Sequence, residues 1–326
     1  MKTIIVLTAA VMLVLLGCSE RAERSGSEPE RSAEEVRLEH SRHIDSTTLW
    51  AHTRAAEVGL SRLTAEAWLL VDDATGRVIS QKNAHRRMLP ASLTKMMTCL
   101  LALEHGHLDD TIAITPDVYI ARNSRVKPGD SYRAADLLTE MMLQSDNDAA
   151  YALANHVAGD TTAFCQMMNS KATYLGMDST HFVNPNGMPG GRPSADDPLQ
   201  GENFTTARDL LVLARYAMSD TAFASIVRTP FADIPLVDGR HLPSPNTNEL
   251  LRSYEGCIGV KTGFTRKAGF CLVSAARRGD TTLFLVLLKS KTLEARFTES
   301  AALLDYGFRI MEHYKKAIFS KDYFAN

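Results

Sequence analysis

Ser92 and Lys95 lie three residues apart in Pro90-Ala91-Ser92-Leu93-Thr94-Lys95, a spacing that can make a nucleophile. A serine hydroxyl attacks poorly at neutral pH and needs a neighbouring base to take its proton. On a helix, positions i and i+3 share a face about one turn apart, within hydrogen-bond reach. A lysine acts as that base only while neutral, and burial beside a second cation lowers its pKa in that direction. Lys261, in Lys261-Thr262-Gly263, is that second cation, and Ser145-Asp146-Asn147 stands between the two motifs. Ser145 can relay the proton to a leaving amine, while Asn147 can hold both Lys95 and a substrate amide. Lys261 and Thr262 offer a charge and a hydroxyl to a substrate carboxylate. Gly263, without a side chain, lets a substrate backbone lie close against its strand. The backbone N–H groups of Ser92 and Phe264 are expected to face the developing oxyanion.

Each motif alone has a bland reading, as a solvated helix face or a turn. Their fixed order, and the context of Ser92, favour chemistry. Leu89-Pro90-Ala91 precedes the serine and the apolar run Met96–Leu103 follows Lys95, which predicts a buried helix starting at the serine. The partial positive charge of that N-terminus suits an oxyanion.

The elements that must position these residues fall into three groups. Ala67–Val71 and Arg77–Ser80 read as strands around an Asp72–Gly76 turn. Helical patterns follow over Ala134–Met142, Ala149–Ala158, Thr161–Leu175 and Thr206–Met218. Gly259–Lys261, Phe270–Ala275 and Thr282–Leu288 read as strands, and Leu293–Met311 as a closing helix. Two strands early, three late and helices between predict an α/β (α+β) fold, with an antiparallel sheet whose ends are joined by a helical middle.

The 326 residues are 45% hydrophobic and 23% charged with a net charge of -2, so a sizeable core is expected and a nucleic-acid partner is not. Lys2 and the apolar stretch Ile4–Leu16 predict a secretory leader over 1–17, too short for a membrane span. It ends Leu15-Leu16-Gly17-Cys18, which resembles the lipobox of bacterial lipoproteins and makes Cys18 the expected lipidation site. The expected location is therefore the periplasm or the outer face of the cytoplasmic membrane, with the membrane held through an N-terminal lipid. Residues 18–64 read as a polar tether with a helix over Glu34–Glu57, 65–312 as the catalytic domain and 313–326 as a short tail. Cys99, Cys165, Cys257 and Cys271 lack metal-ligand spacing and read mainly as small buried hydrophobes. His105-Gly106-His107 has no third ligand nearby and reads as a solvated loop. No metal or cofactor is expected.

Three segments carry a family resemblance: Pro90–Thr98, Phe182-Val183-Asn184-Pro185-Asn186-Gly187-Met188, and Gly259–Thr265. Together they resemble the low-molecular-mass penicillin-binding proteins, the serine D-Ala-D-Ala carboxypeptidases, from about Ala65 to about Glu312. The resemblance implies a penicillin-recognising fold, a five-stranded antiparallel sheet with a helical subdomain and the site between them. It implies peptidoglycan stem peptides ending in D-Ala-D-Ala as substrate and β-lactams as covalent inhibitors. It also implies that Arg296, by its offset from Lys261-Thr262-Gly263, helps bind a terminal carboxylate. Many family members carry a second, all-β domain and a membrane-binding C-terminal helix. Here only Tyr314–Asn326 follow the closing helix, so neither is expected, and a lipid on Cys18 could replace the anchor.

Two rival functions depend on particular residues. A class A β-lactamase needs a deacylating glutamate after Ser-x-Asn, yet no glutamate occurs between Glu140 and Glu202, and Asp178 and Asp196 lack its setting. A non-catalytic peptidoglycan-binding or β-lactam-sensing protein would have lost a motif group, and none is lost. Carboxypeptidase and D,D-endopeptidase activity are not distinguished by the residues.

Overall fold

The computed structural model describes residues 60–119, 124–191 and 199–319, so the leader, Cys18, the Glu34–Glu57 helix and Asp196 lie outside the described residues. A 3-10 turn at Leu60–Arg62 leads into the hairpin of β1 (Ala67–Asp72) and β2 (Val78–Lys82). A second 3-10 turn (Ala91–Thr94) opens α1 (Lys95–His105), followed by the short ribbon β3 (Thr111–Ala113) and β4 (Ser131–Arg133). Then come α2 (Ala134–Gln144), α3 (Asn147–Ala158), α4 (Thr161–Tyr174), α5 (Ala207–Ser219) and α6 (Thr221–Arg228). A hairpin of β5 (Phe231–Pro235) and β6 (His241–Pro245) and the short α7 (Leu250–Ser253) lead to β7 (Cys257–Thr265), β8 (Gly269–Arg278) and β9 (Thr281–Ser290). The long α8 (Leu293–Phe319) follows.

The large sheet has the order β2-β1-β9-β8-β7, every neighbouring pair antiparallel. The expected early pair and late triple therefore join through β1 and β9, with Leu69 opposite Val286. Side chains alternate between faces with period two. Trp68, Leu70, Leu283, Leu285 and Leu287 pack with Phe297, Leu303, Leu304 and Met311 of α8. Leu69, Val71, Val273, Phe284 and Val286 enter the larger core, shared with α1, α2 and α5. Both faces are covered, which is why these strands read as continuous apolar runs rather than alternating ones. Each fully buried Leu or Val contributes about 1.5–3 kcal/mol relative to exposure.

Glu299 of α8 clamps the chain's entry to the sheet. Its carboxylate accepts from the backbone N–H groups of Thr64 (2.5 Å) and Ala65 (3.2 Å) and from the Ser290 hydroxyl (2.7 Å). The closing helix runs on to Phe319, beyond the expected Met311. Cys99, Cys165 and Cys271 are buried and Cys257 half-buried, all four as free thiols. With β7 as an edge strand beside the start of α1, the sheet's open edge and the helical middle define a cleft.

Candidate active site

Ser92 does not begin an α-helix. It sits in a single 3-10 turn that leads into α1 at Lys95. Ala91 takes a left-handed φ of 50°, a conformation that costs a residue with a Cβ about 1–2 kcal/mol. Residues i and i+3 eclipse in 3-10 geometry, and the Lys95 Nζ stands 3.1 Å from the Ser92 Oγ.

Lys95 is completely buried, and burial pulls its pKa from 10.5 down to about 7, against the opposing pull of Asp146 and Asp148. Burial is the largest cause of the lowering at both Lys95 and Lys261, and repulsion between two cations disfavours the charged form. The Lys95 amine faces three oxygens: the Ser92 Oγ, the Asn147 Oδ1 at 2.8 Å and the Asn186 carbonyl at 2.8 Å. Two are carbonyls, which only accept, and one is a hydroxyl, which can also donate. A neutral amine gives its two N–H groups to the carbonyls, leaving its lone pair on the serine proton. The acceptors around Lys95 thus aim the lone pair of a neutral amine at Ser92.

Asn186 carries no role in the sequence reading, although it lies in Asn184-Pro185-Asn186-Gly187. The structure explains the whole segment. The Asn203 side chain accepts from the Val183 (2.7 Å) and Asn184 (3.1 Å) amides and donates to the Thr94 Oγ1 at 3.1 Å. The Asn184 Oδ1 accepts from the Gly187 N–H at 2.7 Å, and the Thr98 hydroxyl donates to the Pro185 carbonyl at 2.6 Å. Gly187 has φ 82°, and a Cβ on it would lie 1.8 Å from the Ala91 carbonyl oxygen. The loop is pressed onto the Ser92 turn with no room for a side chain.

Ser145 caps the C-terminal end of α2 in the left-handed region, at φ 62°. Its hydroxyl is buried and without a hydrogen-bond partner among the described residues, so it is available for a substrate or a proton relay. Asp146 caps α3 through the Asp148 and Ala149 amides at 3.0 Å, and also accepts from the Ser124 hydroxyl (2.6 Å) and the Arg125 amide (2.7 Å). That double use fixes Asn147 at the start of α3. Behind it, burial raises the Glu140 carboxyl to about 7; it accepts from the Ser244 hydroxyl and lies 3.5 Å from the Arg125 guanidinium.

The Lys261-Thr262-Gly263 segment lies on the edge strand β7. Lys261 is buried and donates to the Thr262 carbonyl at 3.1 Å. Burial holds its pKa well below 10.5, and the charges of Lys95 and Arg296 add to that lowering. The Thr262 hydroxyl pairs with that of Thr247 at 2.7 Å. Gly263 lines the cleft and also serves packing. Its missing Cβ would point at the Pro90 carbonyl oxygen (3.0 Å) and Leu93 (3.2 Å), so it lets β7 approach the Ser92 turn. Phe264 is 48% exposed and stacks on Phe270, ring centroids 4.3 Å apart.

Arg296 comes from the first turns of α8, is 5% exposed, and donates to the Gly263 carbonyl at 3.4 Å. Burial lowers its pKa to about 10. Its Nε has no partner, and neither Lys261 nor Arg296 makes an ion pair among the described residues. A cleft of about 790 Å³ brings together Ser92, Ser145, Asn147, Thr262, Gly263, Phe264 and Arg296, with Lys95 and Lys261 buried nearby. None of the described residues lining it carries a carboxylate.

Comparison with known proteins agrees with this arrangement. The family model for peptidase family S11, D-alanyl-D-alanine carboxypeptidase, matches residues 52–292. The chain belongs to this family. It is 36% identical over 264 residues to the D-alanyl-D-alanine carboxypeptidase DacC of Escherichia coli, covering 76% of this chain and 62% of that one. It thus spans under two thirds of that relative's length. It is 37% identical over 251 residues to DacB2 of Mycobacterium tuberculosis, covering 76% and 83%. Among solved structures, a mutant of the Streptomyces K15 DD-transpeptidase is similar with a TM-score of 0.69, 33% identity and coverage of 76% and 98%. The ampicillin-bound penicillin-binding protein D2 of Listeria monocytogenes gives a TM-score of 0.66 at 28% identity, with coverage of 76% and 98%. The penicillin-recognising fold expected from the sequence is therefore the fold of this family member.

Gly187→Ala should separate packing from chemistry in the carboxypeptidase-family site, since the new methyl touches no reactive atom. Relief of its contact moves Asn186 off Lys95 or Ala91 out of its turn. The expected result is a lower melting temperature and an acylation rate with fluorescent penicillin reduced about a hundredfold, as for a displacement of about 1 Å at a reacting group. Wild-type acylation by Gly187→Ala would contradict the positioning role of the loop.

Proposed function

We propose that this protein removes the terminal D-alanine from peptidoglycan stem peptides through an acyl-enzyme on Ser92. The observation that carries this reading is the pair of buried cations, Lys261 and Arg296, without carboxylate partners beside a serine–lysine pair. Burying an unpaired cation costs several kcal/mol, and an arriving carboxylate offsets that cost. The site is therefore built for a substrate that brings its own anion next to the bond to be cut. A peptide ending in D-Ala-D-Ala does so.

In the proposed sequence, neutral Lys95 takes the Ser92 proton as the Ser92 Oγ attacks the carbonyl of the penultimate residue. The oxyanion forms against the Ser92 and Phe264 amides, at the positive end of the α1 entry turn. Asn147 orients both Lys95 and the substrate amide. Ser145, its hydroxyl otherwise unpartnered among the described residues, relays to the departing D-alanine amine the proton that Lys95 took from Ser92, regaining one as it gives one. Thr262, Lys261 and Arg296 grip the terminal carboxylate. Water then releases the acyl group. A β-lactam acylates the same serine, and with no carboxylate lining the described cleft to activate water, its adduct is expected to be long-lived.

The test compares a D-Ala-D-Ala peptide with its C-terminal carboxamide. Wild type should cleave the acid well and the amide poorly. Arg296→Ala should lose about ten- to hundredfold in kcat/KM on the acid, the size of a charge-assisted hydrogen bond of about 1.5–3 kcal/mol, and much less on the amide. Equal losses on both would mean that Arg296 supports the fold rather than the carboxylate.

We also propose that the protein is exported and membrane-anchored by a lipid on Cys18, with 65–312 as the catalytic domain. The apolar run Ile4–Leu16 followed by Gly17-Cys18 supports this. On fractionation, wild type should partition with membranes and Cys18→Ser should not. Unchanged membrane association and mobility of Cys18→Ser would contradict the anchor.

A further inference from the structure

Five large hydrophobic side chains are conspicuously exposed among the described residues, and three of them line the same cleft: Met188 (45%), Phe264 (48%) and Leu293 (49%). Single exposed apolar residues are ordinary, but convergence on one concave surface marks a place where apolar ligand is received. The three come from three separate segments, the Asn186-Gly187 loop, β7 and the start of α8, so no single helix or strand pattern produces the cluster. Two of them are held in place. The Met188 amide donates to the Asn186 Oδ1 at 2.9 Å, and its carbonyl accepts from the Asn184 Nδ2 at 2.9 Å. Phe264 is stacked on Phe270.

Arg266 lines the same cleft, is exposed, and makes no ion pair among the described residues. Its neighbour Lys267 is taken up by Glu202 at 2.6 Å. The direction of β7 says which part of a substrate meets Arg266. The nucleophile turn abuts Gly263, and the proposed carboxylate grip lies on the Lys261–Thr262 side of it. The acyl half of the substrate therefore continues past Phe264. Arg266 opens the turn just beyond the end of β7 at Thr265, roughly 7–10 Å from Gly263 at about 3.3 Å per strand residue. One residue plus a side chain of four methylenes covers about that distance.

Resting on the carboxypeptidase reading, we propose that Met188, Phe264 and Leu293 form an apolar shelf, with Arg266 at its end, that selects the residue preceding D-Ala-D-Ala. The class selected is a long aliphatic side chain ending in a free carboxylate. The methylenes lie on the shelf and the carboxylate pairs with the Arg266 guanidinium. This anion site is separate from the one at Arg296, which reads the peptide's own C-terminus.

The test uses acetylated X-D-Ala-D-Ala peptides in which X is 2-aminopimelate, its side-chain carboxamide, norleucine, lysine or alanine. In wild type, kcat/KM for the acid should exceed that for the carboxamide about three- to fivefold, the size expected of an exposed ion pair. Norleucine should exceed alanine about tenfold, as burial of a few methylenes requires. Arg266→Gln should bring the acid-to-amide ratio to one, Arg266→Lys should restore it, and Arg266→Glu should turn the preference to lysine. Leu293→Ser and Met188→Ser should shrink the norleucine-to-alanine ratio. An acid-to-amide ratio of one in wild type, or one that survives Arg266→Gln, overturns the proposal. If none of the peptides is cleaved while fluorescent penicillin still labels Ser92, the carboxypeptidase reading falls and the proposal with it.

Discussion

The burial of one amine organises this molecule. Lys95 is a charged residue type placed at the centre of the fold, where an ammonium is costly and an amine is not. The surroundings do not restore the charge by supplying a salt bridge. They supply two carbonyl oxygens and one hydroxyl, a set that favours the neutral form with its lone pair on Ser92. Each acceptor belongs to a different segment: the 3-10 turn, the start of α3 and the Asn186 loop. The geometry of the amine therefore depends on how well these three segments are fixed to one another.

Much of the remaining structure can be understood as that fixation. Asp146 locks Asn147 by capping α3 while holding the 124–125 segment. Asn203, Asn184 and Thr98 tie down the loop that presents Asn186. Gly187 and Gly263 let that loop and β7 close on the Ser92 turn from two sides. The sheet supplies the rigid edge on which Lys261 and Thr262 stand. The same water-excluding packing that neutralises Lys95 strips Lys261 and Arg296 of solvent. One physical condition thus serves the proposed base and the proposed anion site together.

The motifs that meet in the cleft and the large sheet were legible in the sequence because their signals are local. Ser92, Lys95, Ser145, Asn147 and Lys261 carry recognisable spacings, and strands buried on both faces are continuous apolar runs such as Leu283–Leu288. Other features were not legible, for reasons that can be named. Asn186 acts through a backbone carbonyl, which side-chain identity does not report. The packing use of Gly263 depends on a turn about 170 residues earlier in the chain. The hairpin of β5 and β6 contains Pro235, Pro243 and Pro245, which argue against strand locally, and β3 and β4 have three residues each. The break between α5 and α6 rests on Asp220, whose carboxylate accepts from the Phe223 amide at 2.8 Å. The 3-10 turn at Ser92 depends on the left-handed Ala91, which no propensity favours.

The titration of Lys95 tests the central claim most directly. Its side-chain carbon resonances, assigned by comparison with Lys95→Gln, can be followed against pH alongside the rate at which penicillin acylates Ser92. With Lys95 lowered to about 7 by burial, the ammonium dominates below that pH and the base above it. The acylation rate should rise about tenfold per pH unit at acidic pH and level off above about 7, in step with the Lys95 resonance. A Lys95 midpoint near the ordinary 10.5, or acylation that stays flat from pH 5 to 8, would contradict the account.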